Sequence, residues 1–197
     1  GMEPAFKGYM GYPASCCVSV DEEIIHGIPS ESKVIEDGSL ISVDLGIKYK
    51  GVFVDTACTY IAGKASALAK KLVKVSLKSL HRGIKQVKID TNLGNVSHSI
   101  QNFVEKNGFS VIRKFVGHGI GRELHLPPEI PNFGKPGSGW KMQEGYALAI
   151  EPMIATGGFE VEIMPDGWTA KTKDNSLAAH FEHTVVITKR GPVVMTA

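Results

Sequence analysis

The sequence predicts an α+β domain in which a curved antiparallel sheet is covered by helices. Three observations carry this. Two neighbouring segments, Leu40–Ile47 and Val52–Ile61, have the composition and alternation of strands joined by a tight turn. Two further segments, Ala65–His81 and Leu93–Lys106, place apolar residues at helical spacing. Short strand-like runs then fill the rest of the chain, an order of strands, helices and strands that belongs to the α+β class.

The elements follow in chain order. Gly8–Pro13 is rich in Gly, Tyr and Pro and reads as a loop. Ser15–Val20 is a short strand candidate. In Leu40–Ile47, Ile41, Val43, Leu45 and Ile47 alternate with Ser42, Asp44 and Gly46, which predicts a half-buried strand. Val52–Ile61 is rich in β-branched and aromatic residues, and Tyr49, Lys50 and Gly51 form the turn before it. Leu68, Leu72, Val75 and Leu80 mark one face of the first helix, which Gly83 is expected to stop. Val96, Ile100, Phe103 and Val104 mark the second, with Gly108 at its end. Phe109–Ile112 is strand-like. Gly117–Gly121 reads as a glycine-rich turn around His118, and Pro127–Gly139 as an irregular loop with four prolines. Tyr146–Ile150, Glu160–Met164 and Phe181–Thr188 are the last strands.

Bulk properties exclude several functions. The 197 residues suffice for one sizeable core, and no linker divides them, so one domain is expected over 1–197. A net charge of +2 gives no sign of a nucleic-acid or membrane surface. No apolar run approaches the ~20 residues that span a bilayer, and the first residues do not form a secretory signal. Gly1 before Met2 reads as a cloning remnant. Three cysteines, two of them adjacent (Cys16, Cys17), fit neither a disulfide framework nor a zinc motif, which points to a reducing compartment.

The acidic residues on these strands are the informative ones. If Tyr49 and Lys50 are the central turn residues, Asp44 falls directly opposite Asp55, with Cβ atoms ~4.5–5.5 Å apart. Two such carboxylates repel, and a cation between them removes the conflict. Two solvated aspartates on an exposed hairpin face are the alternative, and this pair alone does not choose. Glu151 ends the run Ala147–Ile150, and Glu182 leads into Val185–Ile187. With His118 in its glycine turn, the four carboxylates make an oxygen-dominated set with one imidazole. Their four negative charges match two divalent cations, and the donor set favours Mn, Fe or Co over structural zinc. His81 sits near a helix C-terminus, where a cationic ring needs no function, and His98 reads as a helix-surface residue. His180 and His183 flank Glu182 as packing or supporting groups, and His26 and His125 lie in turn-like contexts.

Taken together, the motifs Ile25-His26-Gly27-Ile28-Pro29, Ser42-Val43-Asp44, Asp55-Thr56, Gly117-His118-Gly119-Ile120-Gly121-Arg122, Ile150-Glu151-Pro152-Met153 and Glu182-His183-Thr184 resemble those of type I methionine aminopeptidases. The stretch Asp166–Asp174 is similar too, so the resemblance runs from about Phe6 to the C-terminus. It implies a pita-bread fold with two pseudo-symmetric halves around a metal site. It implies a cytoplasmic dinuclear-metal hydrolase that removes the initiator methionine from nascent chains, close to the ribosome, when the next residue is small. It makes Asp44, Asp55, His118, Glu151 and Glu182 the metal ligands, with Asp55 and Glu182 bridging. Glu151 is also the general base, and His26 and His125 contact the substrate near the scissile bond. Tyr9, Tyr12, Cys17 and Trp168 line the methionine pocket. No nucleic acid or membrane is required. The family begins with about fifty further residues, including a long helix, a length ordinary for part of a domain. This sequence lacks them, which is expected to leave apolar surface open on an otherwise monomeric protein and to favour self-association. Leu126-Pro127-Pro128 stands where a glutamate is common, and Leu124 where an aromatic is frequent. An X-Pro dipeptidase of the same fold, a binding protein that has lost its metals and an inactive fragment are the rival readings. The five intact ligand positions and the lack of room for an extra N-terminal domain speak against them.

Overall fold

The computed structural model describes residues Gly1–Ala197. In chain order the strands before the helices are β1 (Glu3–Pro4), β2 (Cys17–Val20), β3 (Glu23–Ile25), β4 (Leu40–Tyr49) and β5 (Val52–Ile61). Helices α1 (Ala67–Ile84) and α2 (Leu93–Lys106) follow. Then come β6 (Ser110–Val111), β7 (Gly117–Ile120), β8 (Leu126–Ile130), β9 (Ala147–Ile150) and β10 (Met153–Ala155). The last strands are β11 (Val161–Ile163), β12 (Ala170–Thr172), β13 (Ala178–His180), β14 (Glu182–Thr188) and β15 (Gly191–Val194).

The main sheet runs β1-β4-β5-β14-β9-β7-β8, with β2 beside β4 and β15 beside β14, and every pairing in it is antiparallel. The fold is α+β, and the curled sheet carries both helices on one face. Leu148 and Ile150 of β9 and Val185 and Ile187 of β14 join Leu72, Leu80, Ile100 and Val104 of the helices in the largest apolar cluster. Residues one position away point to the opposite face, because side chains alternate along a strand. That opposite face holds the site.

The β4–β5 hairpin departs from the predicted register. Tyr49 pairs with Val52, so Lys50 and Gly51 are the central turn residues, with φ of 50° and 78°. Positive φ at both positions is the turn that matches strand twist, and Gly51 adopts it without strain. Asp44 therefore pairs with Ala57, and Asp55 with Gly46. Moving the turn by one residue shifts the pairing by two. The aspartates become diagonal neighbours but keep the same face. The alternation of β4 is also inverted from the usual sense. Ser42, Asp44 and Gly46 are buried, Ile41, Val43 and Ile47 are half-buried, and Leu45 is exposed.

Three further expectations are corrected. Gly83 does not stop α1; it lies buried in the last turn, where a Cβ would stand 2.8 Å from Ile100 Cδ1, so its bareness lets the helices approach. Gly117–Gly121 is not a turn, because Gly117–Ile120 is the buried strand β7. There a Cβ on Gly117 would meet the Ala149 carbonyl oxygen and one on Gly119 the Pro127 carbonyl oxygen. The glycines admit neighbouring backbone and do not reverse the chain. Finally, Leu126–Ile130 of the proline-rich segment is strand β8 at the sheet edge, where missing N–H donors are tolerated.

Candidate metal centre

Sheet parity gathers the five expected ligand side chains. Asp44 and Glu182 both pair with Ala57, and His118 and Thr184 both pair with Ala149. Directly paired residues share a face, as do residues two apart. Asp55 lies two residues from Ala57, and Glu151 two beyond Ala149, so all five project from one face. Ala57 and Ala149 stand between them as small side chains and leave the space above the sheet open.

Ligand atoms of Asp55, His118 and Glu182 lie within 4.8 Å of one another. His118 Nε2 is 3.6 Å from Glu151 Oε1. All five residues are buried, with exposures of 9% or less. His118 Nδ1 is 2.9 Å from the Gly119 carbonyl oxygen. A carbonyl only accepts, so Nδ1 carries the proton and Nε2 turns a free lone pair toward the carboxylates. Asp44 Oδ1 and Glu182 Oε1 are buried without any hydrogen-bond partner. Orphaned acceptors of this kind are costly unless something cationic meets them.

The electrostatics match. Burial, then the charges of Asp55 and Glu151, holds Asp44 well above the usual carboxylate range. Burial lifts Asp55 to about 7. Glu151 is raised by burial and then by Asp55, and Glu182 by burial and then by Asp55, Glu151 and Asp44. Burial pushes His118 down to about 4, so its ring is neutral at pH 7. Four carboxylates that cannot ionise together, beside a neutral imidazole lone pair, fit divalent cations. The donors are hard oxygens with one nitrogen and no thiolate.

A cavity of about 640 Å³ opens over this cluster. Tyr9, Tyr12, Cys17, His26, His125 and Trp168 all line it. Tyr12 donates its hydroxyl to the carbonyl oxygen of Gly27 at 3.0 Å, and its ring meets Trp168 edge-on at 5.1 Å. Cys17 pairs with Asp44 across β2 and β4, and burial, followed by the Asp44 charge, pushes its thiol up, so it is a neutral wall. His26 has a φ of 59° and stands edge-on to Phe115. Burial lowers it to about 4. The His125 ring packs 4.2 Å from His118, and its Nδ1 is 2.9 Å from the Tyr9 hydroxyl.

Some participants were not singled out as site residues. Phe6, Met10, Phe115 and Leu124 also line the cavity. They carry no motif, and only the fold brings them together. His180 is the more consequential. It is fully buried on β13, its Nε2 is 3.7 Å from Glu151 Oε2, and neither ring nitrogen has a hydrogen-bond partner. Its position two residues before Glu182 was the available signal. His183, by contrast, points to the helix side, stacks on His81 and bonds Thr196.

The comparisons with known proteins agree with this geometry. Residues 2–189 match the model of metallopeptidase family M24. The methionine aminopeptidase of Clostridium acetobutylicum is 48% identical over 193 residues, covering 98% of this chain and 77% of that protein. Methionine aminopeptidase 1 of Bacillus subtilis is 46% identical over 196 residues, covering 100% and 79%. The crystal structure of methionine aminopeptidase from Thermotoga maritima superposes with a TM-score of 0.98 at 50% identity, covering 99% of this chain and 78% of that one. The prolidase of Pyrococcus furiosus, at 22% identity and a TM-score of 0.73, shares the fold. With a cavity built over a carboxylate–histidine cluster and relatives of this closeness, the chain belongs to metallopeptidase family M24 and, within it, to the methionine aminopeptidases.

Proposed function

We propose that this chain is a single catalytic domain that hydrolyses the bond after an N-terminal methionine of new polypeptides when the next residue is small. The observation that carries the reading is the convergence of Asp44, Asp55, His118, Glu151 and Glu182 on one sheet face beneath an aromatic cavity. These five side chains would hold two divalent cations, Mn, Fe or Co. Ligand atoms of Asp55, His118 and Glu182 within 4.8 Å of one another support a cation site there. Bound there, the cations supply Lewis acidity that activates water and polarises the scissile carbonyl at neutral pH.

The protein's own groups do the rest. Glu151 takes a proton from the attacking water and hands it to the leaving amine. His125 and His26 are neutral donors beside the reacting carbonyl and amide. For His125 to donate from Nε2, its Nδ1 must accept, and the Tyr9 hydroxyl at 2.9 Å can supply that proton. Tyr12, Cys17 and Trp168 form a slot whose aromatic faces and neutral thiol suit an unbranched thioether. Three free cysteines fit a cytoplasmic setting, where nascent chains leave the ribosome. No helix is long and apolar enough to cross a membrane. Exposed Leu45, Val52 and Tyr60 on the hairpin are the surface through which copies would associate.

The test is hydrolysis of Met-Ala-Ser by chelator-treated protein, then with Mn, Co or Fe restored, beside an Ala-Pro peptide. Metal-dependent release of methionine with no cleavage of Ala-Pro is expected. Preferential cleavage of Ala-Pro would assign the site to X-Pro hydrolysis instead.

A further inference from the structure

The small net charge conceals a strong segregation. Eight of the 22 lysines and arginines lie between Asp55 and Asp90, a stretch with no acidic residue, and the other 14 share the remaining chain with all 20 acids. Most of the eight sit on α1. Lys70, Lys74, Lys78 and Arg82 follow one another at intervals of four, which places them along one ridge, each about 6 Å further up the helix. Lys71 and Lys85 flank the row within an arc of about 120° at 100° per residue. All six are exposed, while Ala69, Leu72, Val75 and Leu80 on the other side are buried in the core.

No carboxylate lies within 4.0 Å of any of these six. Lys71 donates to the Asn107 carbonyl oxygen, and Arg82 covers the Phe103 ring. The others point into solvent without a partner. Like charges at i, i+4 repel and weaken a helix. An ordinary solvated helix face relieves this with interspersed Glu or Asp, and α1 has none.

We infer that this face of α1 docks on the phosphate backbone of double-helical RNA. A regular row of lysines, with little forked side chain to read bases, suits contact to phosphates without sequence preference. An anionic bilayer fits less well. Helices that bind membranes place an apolar face in the lipid, and the apolar face of α1 is committed to the core, with only Leu68 exposed among its large apolar side chains. The helices lie on the sheet face opposite the cavity, so RNA held there leaves the cavity mouth open. The choice of RNA rests on the proposed substrate, since new chains emerge among structured RNA. The cationic surface itself does not depend on that reading.

The test is fluorescence anisotropy with a labelled RNA duplex of about 20 base pairs, beside co-sedimentation with phosphatidylglycerol vesicles. Neutralising about four phosphates predicts an affinity that falls roughly a hundredfold between about 50 and 200 mM salt. K74Q/K78Q/K85Q should bind at least about tenfold more weakly with a shallower salt dependence, and K74E/K78E/K85E more weakly still. Both variants should keep wild-type circular dichroism and Met-Ala-Ser hydrolysis. Absence of duplex binding at low salt, undiminished binding by the triple variants, or binding to vesicles but not to duplex would overturn the proposal. Because binding is read without hydrolysis, failure of the aminopeptidase reading would show separately in the peptide assay.

Discussion

The Thr184 hydroxyl accepts the backbone N–H of Asp55 and donates to the backbone carbonyl oxygen of the same residue, both at 2.8 Å. One side chain thus takes the place of two ladder bonds between β5 and β14. Thr59 does the same for His180, accepting its N–H and donating to its carbonyl oxygen at 2.8 Å. The two clips lie on either side of the Ala57–Glu182 pair and fix the strands that carry Asp55 and Glu182.

Thr184→Val keeps the shape of the side chain but leaves a buried N–H and C=O unpaired. It should lower stability by about 1–3 kcal/mol and weaken metal binding, whereas Thr184→Ser should retain both. Urea denaturation and a metal titration of each variant check this.

The metal-free protein should lose stability as pH rises above about 6.5. Carboxylates raised by burial bind more protons in the folded than in the unfolded chain, so folding is penalised increasingly as pH climbs from the unfolded values, near ~4, through the raised folded values, about 7 for Asp55, with Asp44, Glu151 and Glu182 also held well above the usual carboxylate range. The buried neutral histidines act oppositely. His26 and His118, near 4, and His180, near 3, destabilise the fold only as pH falls below the unfolded value of ~6.5. The two effects oppose each other below that pH, and only the first persists above it. Melting temperatures from pH 6 to 9 should decline without metal and level off with Mn present.

Gly117→Ala would drive a Cβ to within 2.3 Å of the Ala149 carbonyl oxygen. The backbones of β7 and β9 must part, and His118 moves with them. A stability loss of at least ~2 kcal/mol is expected, together with lost metal binding. Gly121→Ala, whose Cβ would meet only Leu126 Cδ1 at an ordinary 3.8 Å, is the comparison.

Tyr9→Phe removes the hydroxyl from His125 Nδ1 and keeps the pocket wall. A fall in kcat of about tenfold, the cost of one hydrogen bond to a reacting group, with KM for Met-Ala-Ser little changed, is the expected pattern. A rise in KM alone would make Tyr9 a wall of the slot and nothing more.

Much of this arrangement could be read from the sequence, and the misreadings have physical causes. The β4–β5 hairpin and both helices declared themselves by periodicity. The side of β4 that is buried did not, because a cluster of carboxylates outweighs the usual preference for Ile41, Val43 and Leu45 inside. Gly117 and Gly119 signalled a bend, since glycine serves turns and close strand approach equally. The short strands β10 and β13 are buried throughout and show no alternation. His180 reaches Glu151 only through the pairing of β13 with β10, a contact no local motif records. Asp44, Asp55, His118, Glu151 and Glu182 stood out in the sequence because acids on apolar strands and a histidine between glycines are costly to bury, and the fold brings all five to the floor of one cavity.

Native mass spectrometry of the metal-free protein titrated with Mn, followed in parallel by Met-Ala-Ser hydrolysis, tests the metal centre most directly. Wild-type protein should bind two ions and gain activity with them, while D55A and E182A should bind fewer and remain inactive. Wild-type rates of hydrolysis in the presence of excess chelator, or two ions retained by D55A, would contradict a centre built on these side chains.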